Sequence, residues 1–197
     1  MKVALVPTGR SNLRSVEAAL RRCGASPFRC SDPAMVRNAE LVAIPGVGSF
    51  AAGMSGLFSL GLDTALRQRA LDHRPLLGIC LGFQLFCQQS EESPGVSGMG
   101  IVNARLERFT GQVAVPQMGW NTVSGSGGLV ADGCAYFANS YRLRQPPMGW
   151  NGSTAFHGER FVAALESGPM LLCQFHPELS GDYGAELLLR WLKEASA

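Results

Sequence analysis

The stretch Gly78-Ile79-Cys80-Leu81-Gly82 sets a thiol between two glycines at the end of a short apolar run, Leu76–Ile79. Gly-x-nucleophile-x-Gly between a strand and a helix is the nucleophile-elbow pattern. The turn is so tight that side chains flanking the nucleophile would clash, so glycine is wanted on both sides. A helix beginning at Leu81 would point its free N–H groups and positive dipole end at the sulfur and favour thiolate. The same pentapeptide is also compatible with a buried structural cysteine in an ordinary strand–turn–helix.

A thiolate nucleophile needs a base for its proton and an oriented partner for that base. The chain has 3 histidines, so the search is short. His73 lies in a charged helix-to-strand corner, Asp72-His73-Arg74-Pro75, and reads as solvated. His157 precedes Gly158-Glu159-Arg160, a hairpin turn. His176 follows the apolar run Leu171–Phe175 and is followed by Pro177-Glu178, which puts an imidazole and a carboxylate at a strand end, where sites form in open α/β sheets. Pro177 fixes their relative direction. His-Pro-Glu alone could be a strand-terminating turn; together with the elbow it becomes a Cys80–His176–Glu178 triad candidate. Acyl chemistry also requires donors for an oxyanion. The N–H of Leu81 is one, and Pro45-Gly46-Val47-Gly48 at a neighbouring strand end can supply another, because glycines let a peptide turn its N–H inward.

The elements that would position these groups alternate. Lys2–Val6 reads as a strand buried on both faces. Thr8-Gly9-Arg10-Ser11 is a loop, and Asn12 can cap a helix running to about Cys23, stopped by Gly24. Pro27–Cys30 is a weak strand, and Pro33–Asn38 a short helix with Asp32 as cap. Leu41–Ile44 is a third strand. One helix is expected after it, with Leu60–Asp72 its best-patterned part, followed by the Leu76–Ile79 strand. This alternation indicates a parallel α/β sheet with right-handed crossovers. Residues 90–100 read as loop. Short strands follow at Asn103–Phe109, Val113–Val115, Ala135–Ala138, Tyr141–Leu143, Ser153–Phe156, Phe161–Leu165 and Leu171–Phe175, with surface turns at Gly125–Gly128 and Gln145–Pro147. This half reads as antiparallel or mixed and extends the first sheet. A final helix over about Gly181–Glu194 presents Leu187, Leu188 and Trp191 on one face, with Ala185 beside them.

A chain of 197 residues fits one domain, 1–197, able to bury roughly 70% of its unfolded surface without disulfides or metals. A net charge of +2 argues neither for nor against nucleic acid as a partner, but the lack of a Lys/Arg-rich run of five or more argues against it. The longest uncharged stretch, Leu41–Leu62, is broken by glycines, a proline and serines, so no membrane span is expected. The N-terminus is strand-like rather than a signal peptide. The 6 cysteines have neither CxxC spacing nor the density of a secreted scaffold, which suggests reduced thiols and a cytoplasmic location.

Three segments, Gly78–Gln84, Gln174–Glu178 and Pro45–Gly48, together resemble class I (triad) glutamine amidotransferases. Asn12-Leu13-Arg14-Ser15-Val16, Pro116-x-Met118-Gly119-Trp120-Asn121 and Tyr136-Phe137-x-x-Ser140-Tyr141 look like the glutaminase (HisH-type) subunits of imidazole glycerol phosphate synthase, and the similarity covers nearly the whole chain. The resemblance implies a flavodoxin-like α/β domain with a mixed, mostly parallel sheet flanked by helices. It implies Cys80 as nucleophile, His176 as base and Glu178 as its orienting carboxylate, with Val47, Gly48 and Leu81 as oxyanion hole. Gln84, Ser140 and Tyr141 would hold glutamine. Asn12, Met118, Trp120, Tyr136 and Leu179 would lie at the partner interface or tunnel. No cofactor and no metal is implied. Ammonia would pass, shielded from water, into a (βα)₈-barrel cyclase subunit, giving imidazole glycerol phosphate and the aminoimidazole carboxamide ribotide of histidine biosynthesis.

The chain departs from that pattern at four places. Gln117 and Asn139 each stand where the motifs carry His, Leu179 where Lys follows the Glu, and Pro7-Thr8 where Asp-Tyr is common. All lie outside the triad, so they bear on coupling and acceptor rather than on glutamine hydrolysis. Three other readings stay open: a glutaminase serving a different acceptor, such as a sugar; a non-catalytic regulatory subunit; and a stand-alone cysteine hydrolase, which would leave Pro116–Asn121 and Tyr136–Tyr141 unexplained.

Overall fold

A computed structural model of the chain describes residues 1–8 and 12–195; Gly9 to Ser11 of the expected Thr8–Ser11 loop lie outside them. Five strands run parallel in the order β2 (Ser26–Arg29), β1 (Lys2–Leu5), β3 (Leu41–Gly46), β4 (Leu76–Cys80), β12 (Met170–Cys173). Their side chains alternate between two cores. Val3, Leu5, Leu41, Ala43, Leu77 and Ile79 face α1 (Leu13–Arg22) and α6 (Gly181–Glu194), with Val16, Leu20, Leu187, Leu188 and Trp191 packed against them. Ala4, Val42, Ile44 and Leu76 face α2 (Pro33–Asn38), α3 (Phe50–Ser59) and α4 (Leu62–Leu71). Burial on both faces is why these strands read as unbroken apolar runs.

The sheet continues antiparallel through β11 (Glu159–Ser167), β10 (Asn151–His157), β7 (Gln117–Ser124) and β8 (Gly133–Asn139), as expected of the C-terminal half. Three segments leave it: β5 (Cys87–Ser90), β6 (Val102–Arg108) and β9 (Tyr141–Arg142) form a small separate sheet.

Several expectations need correction. The single helix after β3 is two, because Gly61 takes a left-handed backbone (φ +66) that turns the chain between α3 and α4. Asn12 stands at the N-cap of α1 but its side chain makes no capping hydrogen bond. Asp32, by contrast, accepts from Met35 N at 2.9 Å. Val113–Val115 is loop, and β7, eight residues long, was not expected. Its exposed Met118 and Trp120 and its glycine hide the alternation that marks a strand.

Candidate active site

Cys80 ends β4 with φ 52 and ψ −109, a left-handed backbone that a non-glycine residue rarely adopts. The flanking glycines are required by space. A Cβ on Gly82 would overlap the Ile44 carbonyl oxygen, and one on Gly78 would stand 2.8 Å from Leu172 Cδ2 and 3.1 Å from Phe83 N. The helix behind the thiol, α5, spans only Leu81–Gln84. Four residues sum too little peptide dipole to act as a macrodipole, so the expected dipole effect is replaced by the local N–H groups alone.

The parallel β12 brings the second half of the site beside the elbow. After Cys173 the chain runs through Gln174 and Phe175 to His176, whose N–H donates to Tyr136 O of β8 at 2.8 Å. Pro177–Leu179 form a 3-10 turn that carries Glu178, and His176 Nδ1 lies 2.9 Å from Glu178 Oε1. Ser180, which carried no role in the sequence reading, clamps this turn: its hydroxyl donates to His176 O (2.6 Å) and accepts from Tyr136 N (3.0 Å). Both imidazole and carboxylate are buried. Burial works against the imidazolium, but hydrogen bonds to Cys80 and Glu178 and the negative charge of both outweigh it, and the His176 pKa is pushed up to about 10. Burial instead drives the thiols of Cys87 and Cys173 upward, which keeps them protonated and inert.

Around the sulfur stands a line of amides. Gln174 Nε2 lies 3.8 Å from Cys80 Sγ, Gln84 Nε2 donates to Gln174 Oε1 at 3.0 Å, and Gln84 Nε2 also reaches Tyr141 O at 3.3 Å. Cys80 Sγ itself lies 3.9 Å from Ala138 O. Gln84 and Tyr141 thus meet, Tyr141 through its backbone, while Ser140 accepts from Phe109 N with its carbonyl at 3.1 Å.

The β3–β4 register places Gly46 opposite Cys80, so the Val47-Gly48-Ser49 loop leaves the sheet beside the thiol. Gly48 is left-handed (φ +112) and Leu81 is buried against Gly46. Ten-residue α3 starts directly after this loop and is held from far along the chain. Phe50 N donates to Glu92 Oε2 (2.6 Å) and Ala51 N to Ser93 Oγ (3.2 Å). Glu92 was missed in the sequence, since nothing local signals a cap 42 residues away.

Of the residues expected at a partner face, Met118, Trp120 and Leu179 are exposed, and the Trp120 ring meets Tyr136 edge-on at 6.2 Å. Asn12 is exposed ahead of α1, on a different element. His73 is exposed and His157 bonds Ala114 O at 2.8 Å; neither joins the site.

Residues 6–194 match the family model described as glutamine amidotransferase class-I. The chain belongs to that family. It is 40% identical over 206 residues to the imidazole glycerol phosphate synthase subunit HisH of Corynebacterium diphtheriae, covering 97% of this chain and 98% of that one. It is 38% identical over 209 residues to the subunit of the same name from Thermobifida fusca, covering 97% of each. A solved structure titled as a glutamine amidotransferase superposes with a TM-score of 0.80 at 20% identity, covering 99% of both chains, a likeness of fold. With these relatives the chain falls among the HisH-type amidotransferases, and the α/β architecture is that of the family.

Proposed function

We propose that the chain is a glutaminase subunit that hydrolyses glutamine to glutamate and ammonia, and that it hands the ammonia to a (βα)₈ cyclase subunit. That partner forms imidazole glycerol phosphate and the aminoimidazole carboxamide ribotide. The observation that carries the reading is the strained backbone at Cys80 beside a buried imidazole whose proton is held by both Cys80 and Glu178. Such an imidazole is placed to take the proton of Cys80 and leave the thiolate as nucleophile. The thiolate attacks the glutamine carboxamide carbon, and Val47, Gly48 and Leu81 backbone N–H groups stabilise the oxyanion. The C–N bond breaks as imidazolium gives its proton to the leaving nitrogen, leaving ammonia, a thioester and neutral His176. Water, losing a proton to His176, then releases glutamate and restores the thiolate–imidazolium pair. Gln84 and the Tyr141 carbonyl hold the substrate. The whole chain acts as one domain, in the cytoplasm with the rest of the pathway.

Mixing the chain with the cyclase of its own organism tests this. Glutamate release should rise on addition of partner, cyclised product should form from glutamine, and Cys80→Ala should abolish both while product still forms from added ammonium. Glutamate release indifferent to any partner would overturn it. A second reading keeps the hydrolysis but gives the ammonia to another acceptor; Gln117, Asn139 and Leu179 favour it, and failure of the cyclase to bind would select it.

A further inference from the structure

Gln174 is the residue after β12, whose parallel register sets Cys173 beside Ile79 and so brings Gln174 alongside Cys80. Its N–H donates to Ala163 O of β11 at 2.8 Å, which fixes the backbone there. Side chains alternate along this segment. Cys173 and Phe175 enter the core under α1 and α6, and Leu172 enters the core under α2, α3 and α4. Gln174 shares the face of Leu172 and there meets Gln84 of α5. It has no exposed surface, and an amide shut away from water is stable only where its polar atoms are bonded.

The bonds it makes can be read in one direction only. Gln84 Nε2 donates to Tyr141 O at 3.3 Å and to Gln174 Oε1 at 3.0 Å. A main-chain carbonyl only accepts, so the Gln84 atom facing it is nitrogen. That nitrogen requires oxygen on Gln174, and the Gln174 nitrogen is left facing Cys80 Sγ at 3.8 Å. Around the sulfur stand two kinds of partner. Ala138 O, 3.9 Å away, suits the thiol, which has a proton to give. Gln174 Nε2 and protonated His176 suit the thiolate, which can only accept. Of these two donors His176 exchanges its proton in the reaction and the amide does not.

We propose that Gln174 is a further catalytic residue, an amide donor that stabilises charge on the Cys80 sulfur, and that Gln84 is the positioning residue that aims it. The proposal rests on the glutaminase reading. Charge stands on the sulfur twice in that reaction: before attack on the carboxamide, and when water expels the thiolate from the thioester. Gln174 meets it both times without taking the proton that His176 must carry to the leaving nitrogen.

Iodoacetamide alkylates thiolate and needs no glutamine, so it tests the sulfur by itself. Labelling of each cysteine is followed by peptide mass spectrometry in wild type, Gln174→Met, Gln84→Met and the double variant. Exposed Cys134 is the control for the reagent, and buried Cys87 and Cys173 stay unlabelled in every variant that is folded. Loss of one bond to a charged partner removes about tenfold of the thiolate, half offset because a less stabilised thiolate attacks faster. Labelling of Cys80 should therefore fall about threefold in Gln174→Met. Gln84→Met should show a similar fall although Gln84 does not bond the sulfur. The double variant should fall no further, because both changes remove the same donor. In glutamate release Gln174→Met should lower kcat about tenfold and move the KM for glutamine less than twofold, whereas a residue that only packs would change Tm and leave kcat alone. Cys80 labelled at the wild-type rate in either folded single variant, or losses that multiply in the double, would overturn the proposal. If wild type releases no glutamate while the labelling pattern holds, the glutaminase reading fails and the donor role stands.

Discussion

On the parallel side of the site, at the ends of β3 and β4, the backbone is positioned by what cannot fit. Gly46, Gly78 and Gly82 stand where a Cβ would meet Leu81, Leu172 or the Ile44 carbonyl, and polar side chains act at the margins, Thr8 donating to Pro45 O at 2.8 Å and Glu92 and Ser93 holding the start of α3. On the other side, at the end of β12, the last parallel strand, and along antiparallel β8, the reverse holds. Ser180 ties His176 to Tyr136, and buried Arg142 binds Glu159 at 2.5 Å and Glu107 at 3.3 Å, with its guanidinium over the Phe109 ring. The nucleophile is thus set by steric exclusion and its base by directional bonds. Steric positioning fails abruptly when a methyl is added, and hydrogen-bonded positioning fails by degrees as bonds are removed.

The largest expected effect is on the first side. Gly82→Ala forces the Ile44 carbonyl out of the β3 ladder, and neither element can yield without losing the elbow. The variant should lose all glutamine hydrolysis and most of its thermal stability, read by glutamate release and by calorimetry. Gly78→Ala should do less, because the nearest atom it meets is the end of the Leu172 side chain. Equal, mild effects of both changes would break the steric account.

Next comes Arg142→Met. Arg142 and Arg144 both bridge Glu107 and Glu159, and removing the buried one of the two costs about 3 kcal/mol, toward the low end because both acids are partly solvated and Arg144 stays paired with them. β9 should loosen with it. Tyr141 O then holds Gln84 less firmly, so the KM for glutamine should rise more than kcat falls. Ser180→Ala should cost about 1–3 kcal/mol, since it leaves Tyr136 N without its acceptor. For a chain of this size, that is a drop in Tm of roughly 2–4 °C per kcal/mol. Its kcat should fall more than its KM rises, because the imidazole it frees acts in chemistry rather than in binding.

These contrasts explain what could be read in the chain before its shape was known. The elbow was legible because steric exclusion writes glycine into the sequence at fixed offsets from Cys80. His176 and Glu178 were legible because one proline separates them. The clamps were not. Ser180 looks like a helix start, Glu92 acts on Phe50 from 42 residues away, and Arg142 pairs with acids on β6 and β11. Bonds between distant segments leave no local pattern. β7 escapes notice for a related reason: its first two outward residues, Met118 and Trp120, are apolar and Gly119 lies between them, so it lacks the alternation of a half-buried strand.

The same directional network gives a pH signature. His176 carries a pKa of about 10 when folded against 6.5 as a free side chain. A raised pKa means the folded state holds the extra proton, so its stabilisation is complete below about pH 6.5 and disappears as pH rises through about 10. Stability should decline across that window. Cys80→Ala removes one of the two partners that raise the value, so its decline should end at lower pH and be smaller overall. NMR titration of the His176 ring reports the value directly, and an unchanged value in Cys80→Ala would show that Glu178 alone sets it.

The smallest expected effect returns to the parallel side and tests whether hydrogen bonds are as unimportant there as the glycines suggest. Asn12 occupies the position of a helix cap, and its residue type would normally contribute about 1 kcal/mol. Its backbone, at φ −77 and ψ 59, lies outside the extended region that aims a cap side chain at the first turn, and no such bond forms. Helix α1 is held instead by Val16, Ala19 and Leu20 against the sheet and by Gly24, whose left-handed turn lets Gly24 N bond Arg21 O and Ala25 N bond Leu20 O. Asn12→Ala should therefore leave stability within about 0.5 kcal/mol of wild type by denaturant unfolding. A loss near 1 kcal/mol would mean that the cap forms in solution, and that side-chain bonding positions this half of the molecule as well.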